Sequence, residues 1–141
     1  MKILYTAHAT ATGEGRAGAT GLDDGQFSTP LSIPEGLGGS GGGGLNPEQL
    51  FAMGYAACYL GALKAVAKRE KLSLGADTKV QASVGIGPRP DGQGFGLSIT
   101  LNITLPGVDA QQKQELSRAA HGVCPYSHAL SQGVDVVTCL F

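Results

Sequence analysis

The rhythm of apolar and polar positions changes along this chain, and each change predicts a different element. "KILYTAHATA" alternates and reads as a strand over residues 2–11. "GEGRAGATGLDDGQFSTPLSIP" is broken by Gly and Pro. It predicts a loop, a short strand, a tight turn at Asp24-Gly25 and a second strand near residues 27–33. "GLGGSGGGG", residues 36–44, has the composition of a flexible linker. The pattern then turns helical. Asn46 suits an N-cap, Pro47 the first helical position, and Gln49 can complete a capping box, so a helix is expected from 47 to about 71.

Two alternating strands follow. Val80, Ala82, Val84 and Ile86 share one face, as do Leu97, Ile99, Leu101, Ile103 and Leu105, with polar residues opposite. One buried and one wet face is antiparallel-sheet behaviour. "DAQQKQELSRAAHGV" predicts an amphipathic helix starting near Asp109, "CPYSHAL" a second short helix with Pro125 in its first turn, and "VDVVTCLF" a closing strand. This order predicts an α+β class rather than a doubly wound sheet. The long helix carries no charge over residues 50–63. A helix apolar on every side needs cover on every side, and a second copy of the chain would supply it. Gly54, Ala57 and Gly61 recur at helical spacing and would permit close approach. A homodimer is therefore expected.

Length and charge narrow the function. The 141 residues fit one domain, taken as 1–141, and a net charge of −1 without a basic run predicts no nucleic-acid footprint. The N-terminus does not read as a secretory signal, and no uninterrupted apolar run has the length of a membrane span. No membrane association and a cytoplasmic location are expected. Two stretches match G-x-G-x-x-G, "GEGRAG" and "GLGGSG". Neither opens directly into a helix, as a dinucleotide site requires, and with 23 glycines chance matches are expected. His121-x-x-Cys124 offers two ligands where a structural zinc site needs four, so no metal or cofactor is expected.

Three cysteines remain: Cys58, Cys124 and Cys139. Cys58 stands mid-helix in "GYAACYLGALK". Apolar surroundings disfavour the reactive thiolate, so Cys58 is core filler unless a cation is near. Arg16, between Gly15 and Gly18, could supply one, and Glu48 at the helix start could hold that Arg. Arg16 also reads as a solvated loop charge, and Glu48 as an acid favoured at a helix N-terminus. Cys124, where one helix stops and another starts, reads either as a buried core cysteine or as a thiol activated by a helix N-terminus. Sequence spacing does not bring it to Cys58.

"NPEQLFAMGYAACY", followed by "HGVCPYSHA", with "GEGRAG" and the Gly-rich run upstream, resembles the organic hydroperoxide resistance proteins, one branch of the Ohr/OsmC peroxidases. The resemblance spans nearly the whole chain. Tyr59 departs from the more usual Phe, and His128 from a common Asn. The resemblance implies antiparallel sheets wrapped around long central helices in an intertwined homodimer. It implies a thiol peroxidase that reduces organic and fatty-acid hydroperoxides to alcohols. Cys58 would be the peroxidatic thiol, Cys124 the resolving one, Arg16 the activator of the thiolate and Glu48 its holder. Cys139 is left structural. Phe51, Met53 and Tyr126 would line the substrate pocket. A Cys58–Cys124 disulfide would be recycled by dihydrolipoamide or a lipoylated protein, with no cofactor. The alternative is a thiol redox sensor or apolar-ligand binding protein without turnover. Glu48 and Cys58 are ten residues apart, about 15 Å along a helix. One Arg reaching both would be fully stretched, which favours an active site shared across the dimer interface.

Overall fold

A computed structural model describes all 141 residues. The elements are β1 (Ala9–Thr12), β2 (Ala19–Leu22), β3 (Ser28–Pro30), α1 (Pro47–Arg69), β4 (Lys79–Pro88), β5 (Phe95–Thr104), α2 (Ala110–Val123) and α3 (Pro125–Gln132). The class is α+β, as expected. The chain divides into two compact units, Met1–Leu50 and Phe51–Phe141.

In the first unit β1, β2 and β3 form an antiparallel sheet in that order. The strand expected over residues 2–11 forms only at its end. Ala9 pairs with Leu22, and the Asp23 N–H still reaches the His8 carbonyl. The chain then turns through Asp24-Gly25, so no backbone stands opposite residues 2–7. A strand without a partner gains no ladder bonds, and Ile3, Leu4 and Tyr5 are exposed. The β1–β2 connection contains a 3₁₀ turn, Gly15–Ala17. It requires glycine at 18, where a Cβ would lie 2.0 Å from the Thr12 carbonyl oxygen.

The glycine run is not a free linker. Leu31 and Leu45 form a parallel bridge, and the Gly44 N–H donates to Ser32 Oγ at 2.9 Å. A Cβ on Gly39 would sit 2.2 Å from the Ile33 carbonyl oxygen. Glycine is used here for close backbone approach, a purpose that composition does not separate from flexibility. Helix α1 begins as predicted: Gln49 N–H donates to Asn46 Oδ1 and Asn46 N–H to Gln49 Oε1, both at 2.9 Å.

In the second unit β4 and β5 form a ten-pair antiparallel hairpin, from Lys79 opposite Thr104 to Pro88 opposite Phe95. The inward residues Val80, Ile99, Leu101 and Ile103 pack on a core of Tyr55, Tyr59, Leu63 and Val66 from α1 with Leu116 and Ala120 from α2. Leu97, expected inward, is half exposed near the far end of the hairpin. Asp109 caps α2, accepting from the Gln112 N–H. Cys124 ends α2 and begins α3, with Pro125 in the first turn of α3.

The closing strand does not form. Residues 134–141 are irregular, and Val134, Val136, Val137, Leu140 and Phe141 are exposed. Helix α1 is long and apolar enough to cross a membrane by composition, with a mean hydropathy of 1.5. Instead it supplies much of the core. It is not covered all round: Met53, Ala57 and Gly61 lie on an exposed stripe. Gly54 departs from the expected helix–helix role. It lies under the Tyr126 ring, whose hydroxyl would be 3.1 Å from a Cβ at that position.

Candidate active site

Two pairs of side chains expected from the sequence form within single units. In the first unit Arg16 projects from the 3₁₀ turn and grips Glu48 with both forks. Nη1 donates to Oε2 at 2.9 Å and Nη2 to Oε1 at 2.6 Å. Both residues come from one chain, so this pair needs no second copy. Glu48 is buried, while the Arg16 side chain is 40% exposed. The bidentate hydrogen bonds from Arg16 hold the Glu48 carboxyl below the usual range against the opposing effect of burial, and they raise the guanidinium further.

This pair sets an acid limit. Because the folded Glu48 pKa lies below its unfolded value near about 4.3, the pair stabilises the fold above that pH. The contribution fades as pH falls through the lowered folded value. The melting temperature of the wild type is expected to drop below about pH 5 more steeply than that of Glu48→Gln. Parallel pH profiles of melting temperature would contradict this.

The second pair lies in the second unit. Cys58 from the middle of α1 and Cys124 from the α2–α3 junction place their sulfurs 3.3 Å apart. That is hydrogen-bonding distance for a thiol and a thiolate, and closing it by about 1.3 Å gives a disulfide bond. The two sulfurs share a single favourable charge. Burial pushes the Cys58 thiol up, and the Tyr126 backbone N–H only partly opposes it. Burial also works against the Cys124 thiolate, but there the Ser127 backbone N–H, the Ser127 hydroxyl and the Cys58 thiol outweigh it and hold Cys124 below the usual thiol range. Two of the donors lie at the start of α3, where a helix N-terminus favours an anion. Cys58 therefore needs a further cation if it is to be the nucleophile. Cys139 is exposed in the irregular C-terminal segment and is a free thiol.

An aromatic cluster stands by the thiol pair. The Phe51, Tyr55 and Tyr126 rings lie pairwise 5.9 Å apart. Phe51, Gly54, Tyr55 and Cys58 share a side of α1, as a spacing of three to four residues requires. Met53 does not join them. It lies about 140° around the helix from Cys58 and is 54% exposed.

The structure also adds residues that sequence reasoning missed. Ser127 Oγ lies 2.9 Å from the Tyr55 hydroxyl and 3.0 Å from His121 Nδ1. The Tyr59 hydroxyl donates to the Ser117 carbonyl at 2.9 Å, and its ring meets the His121 ring edge-on at 4.8 Å. The signal was present in "HGVCPYS". His121 and Ser127 stand three residues either side of Cys124, one turn away along each of two helices that meet there.

The family model of the OsmC-like protein matches residues 39–138. The chain is similar to the organic hydroperoxide resistance protein of Xanthomonas axonopodis pv. citri, with 52% identity over 99% of this chain and 96% of that one. It is also similar to two solved structures. An organic hydroperoxide resistance protein from Elizabethkingia anophelis matches with a TM-score of 0.86 and 46% identity, covering 94% of this chain and 92% of that one. The organic hydroperoxide resistance protein OhrB of Bacillus subtilis matches with a TM-score of 0.84 and 41% identity, covering 94% and 96%.

Proposed function

This chain belongs to the OsmC-like family, on its organic hydroperoxide resistance branch, and from that premise we propose that it is a cysteine-based peroxidase acting on organic hydroperoxides. The observation that carries the reading is the 3.3 Å approach of Cys58 to Cys124. Two thiols at that distance, one half-buried beside aromatic rings and one fully buried, suit a peroxidatic and a resolving role.

The chemistry follows from these groups. Cys58 thiolate attacks the terminal oxygen of ROOH; the S–O bond forms, the O–O bond breaks, and the alkoxide takes a proton to leave as ROH. Cys58 is then a sulfenic acid. Cys124 attacks that sulfur, forming the disulfide and releasing water. A dithiol of the lipoyl type restores both thiols by exchange. Burial, and after it the neighbouring Cys124, raise the Cys58 thiol, so a cation is required, and in this reading Arg16, fixed by Glu48, is that cation. Phe51 and Tyr126 line the apolar side of the pocket. Met53 reaches substrate only if a second copy faces the site.

The reading extends to assembly. The exposed stripe of α1 and the two unpaired apolar ends of the chain are surfaces that a second copy would cover, and we take the working form as a homodimer. Sedimentation equilibrium at micromolar concentration tests it, and a monomer would remove it. The solved relatives match across both compact units, which supports one domain over residues 1–141. The cytoplasmic location belongs to the same reading, with α1 engaged in the core.

The functional test is steady-state consumption of cumene hydroperoxide with dihydrolipoamide. Many equivalents per chain are expected. Consumption of a single equivalent would leave a redox sensor instead.

A further inference from the structure

We propose that Tyr55, Ser127 and His121 are positioning residues for the resolving step. The Ser127 hydroxyl, shared by the other two side chains, holds the corner that carries Cys124 against the turn of α1 that carries Cys58. The proposal rests on the reading of Cys58 and Cys124 as the reacting pair.

The two sulfurs belong to different elements. Cys124 stands between α2 and α3 and makes no side-chain cap bond there. Its backbone holds it instead. Its N–H donates to the Ala120 carbonyl at 2.8 Å, and its carbonyl accepts from the His128 N–H at 3.0 Å. The first bond belongs to α2 and the second to α3. The direction of the Cys124 side chain is therefore set by the angle at which the two helices meet, and its distance from Cys58 by where that corner sits against α1.

Ser127 fixes both quantities. Across the corner its Oγ lies 3.0 Å from His121 Nδ1, which joins the last turn of α2 to the first turn of α3. Toward α1 the same oxygen lies 2.9 Å from the Tyr55 hydroxyl. Tyr55 stands three residues before Cys58 on the same side of its helix, and Ser127 three residues after Cys124. One oxygen thus ties three helices together about one turn from each sulfur. A serine hydroxyl gives one proton and accepts two. With the imidazole proton on Nε2, Oγ donates to Nδ1 and accepts from Tyr55, and all three groups are satisfied.

Two further observations make this tie a firm one. Tyr55 is 4% exposed and Ser127 is 7% exposed. Breaking a bond between buried groups strands a polar atom away from water, which costs more than the bond itself gains. The Tyr59 hydroxyl also donates to the Ser117 carbonyl at 2.9 Å and attaches α2 to α1 one turn before His121. Loss of the Tyr55–Ser127 bond therefore frees the α3 side of the corner while α2 stays attached.

The step served is condensation of Cys124 with the Cys58 sulfenic acid. Cys124 sulfur attacks Cys58 sulfur; the S–S bond forms and the S–O bond breaks. Cys124 is oxidised, Cys58 is reduced to the disulfide level, and the thiol proton leaves with the hydroxide as water. The sulfurs stand 3.3 Å apart, a near-attack separation. A displacement of about 1 Å from such a geometry can cost about a hundredfold in rate. Attack of Cys58 on the hydroperoxide uses no alignment with Cys124, so the tie acts on the second step alone.

The test uses the full chain, one equivalent of cumene hydroperoxide, rapid quenching with a thiol-blocking reagent, and mass spectrometry of sulfenic acid and disulfide over time. The readout is the rate of disulfide formation divided by the rate of sulfenic acid formation. Tyr55→Phe keeps the ring and removes only the hydroxyl, and should lower this ratio at least about tenfold. Sulfinic acid should accumulate as a result. Ser127→Ala should lower the ratio as well, and adding Tyr55→Phe to it should lower it no further, because both remove the same bond. Val66→Ala, two turns further along α1, opens a cavity in the same core and controls for lost stability. It should leave the ratio within about twofold of the wild type. A wild-type ratio in Tyr55→Phe, or an equal fall in Val66→Ala, overturns the positioning role. Wild-type protein that gives neither sulfenic acid nor disulfide overturns the peroxidase reading as well, which separates the two failures.

Discussion

Cys58→Ser is expected to lower the turnover of cumene hydroperoxide by at least about three orders of magnitude, the scale on which loss of a nucleophile acts. Nothing else at the site can replace it. Cys124, the neighbouring thiol, is fully buried, and Cys139 sits in the irregular C-terminal segment. Cys124→Ser should behave differently. Cys58 can still take one oxygen atom, so one equivalent of hydroperoxide is consumed. The sulfenic acid then has no thiol 3.3 Å away and should advance to sulfinic acid under excess peroxide. The two variants are compared by peroxide consumption under excess dihydrolipoamide. Turnover retained in Cys58→Ser would remove Cys58 from the chemistry.

The second large effect is in substrate choice. Phe51 and Tyr55 pack into the same core as Cys58, and their rings meet that of Tyr126 at 5.9 Å, which in the proposed reading gives the thiol pair an apolar side. Each CH₂ of a bound hydroperoxide buried there gains about 0.8 kcal/mol, and hydrogen peroxide has none to bury. Four such groups give about 3 kcal/mol, or roughly a hundredfold in kcat/KM where the gain persists into the transition state. Cumene hydroperoxide is therefore expected to exceed hydrogen peroxide by about that factor. Equal kcat/KM values would contradict an apolar pocket at Cys58.

Most of the local structure is legible in the sequence because its causes are local. The reciprocal Asn46–Gln49 cap, the Asp109 cap, the alternation of β4 and β5 and the break at Cys124–Pro125 are each set by a few neighbouring residues. The errors fall where the cause is distant. Residues 2–7 and 134–141 have strand-like patterns, but a strand exists only against a partner, and this chain offers none there. The run at 36–44 looks flexible because glycine composition is the same for a loose chain and for a chain pressed against Ile33 and Ser32.

The candidate site divides in the same way. Arg16, Glu48, Cys58 and Cys124 were identifiable as residue types in their motifs. The 3.3 Å contact joins residues 66 positions apart, and no periodicity encodes such a closure. His121 enters the sequence reading only as one of two metal ligands, too few for a zinc site, and Ser127 not at all, because each, taken singly, is an ordinary helix residue. Their meaning lies in a shared hydrogen bond across the α2–α3 corner. Met53 was grouped with Phe51 by nearness in sequence, whereas helical geometry sends it to the opposite side.

The central claim is that Cys58 and Cys124 are the reacting pair. Its most direct test is to treat the fully reduced wild-type chain with one equivalent of cumene hydroperoxide, block free thiols, and map the disulfides by peptide mass spectrometry. A Cys58–Cys124 linkage with Cys139 alkylated is the predicted result. A Cys58–Cys139 linkage, or three alkylated thiols with the hydroperoxide unconsumed, would contradict the claim.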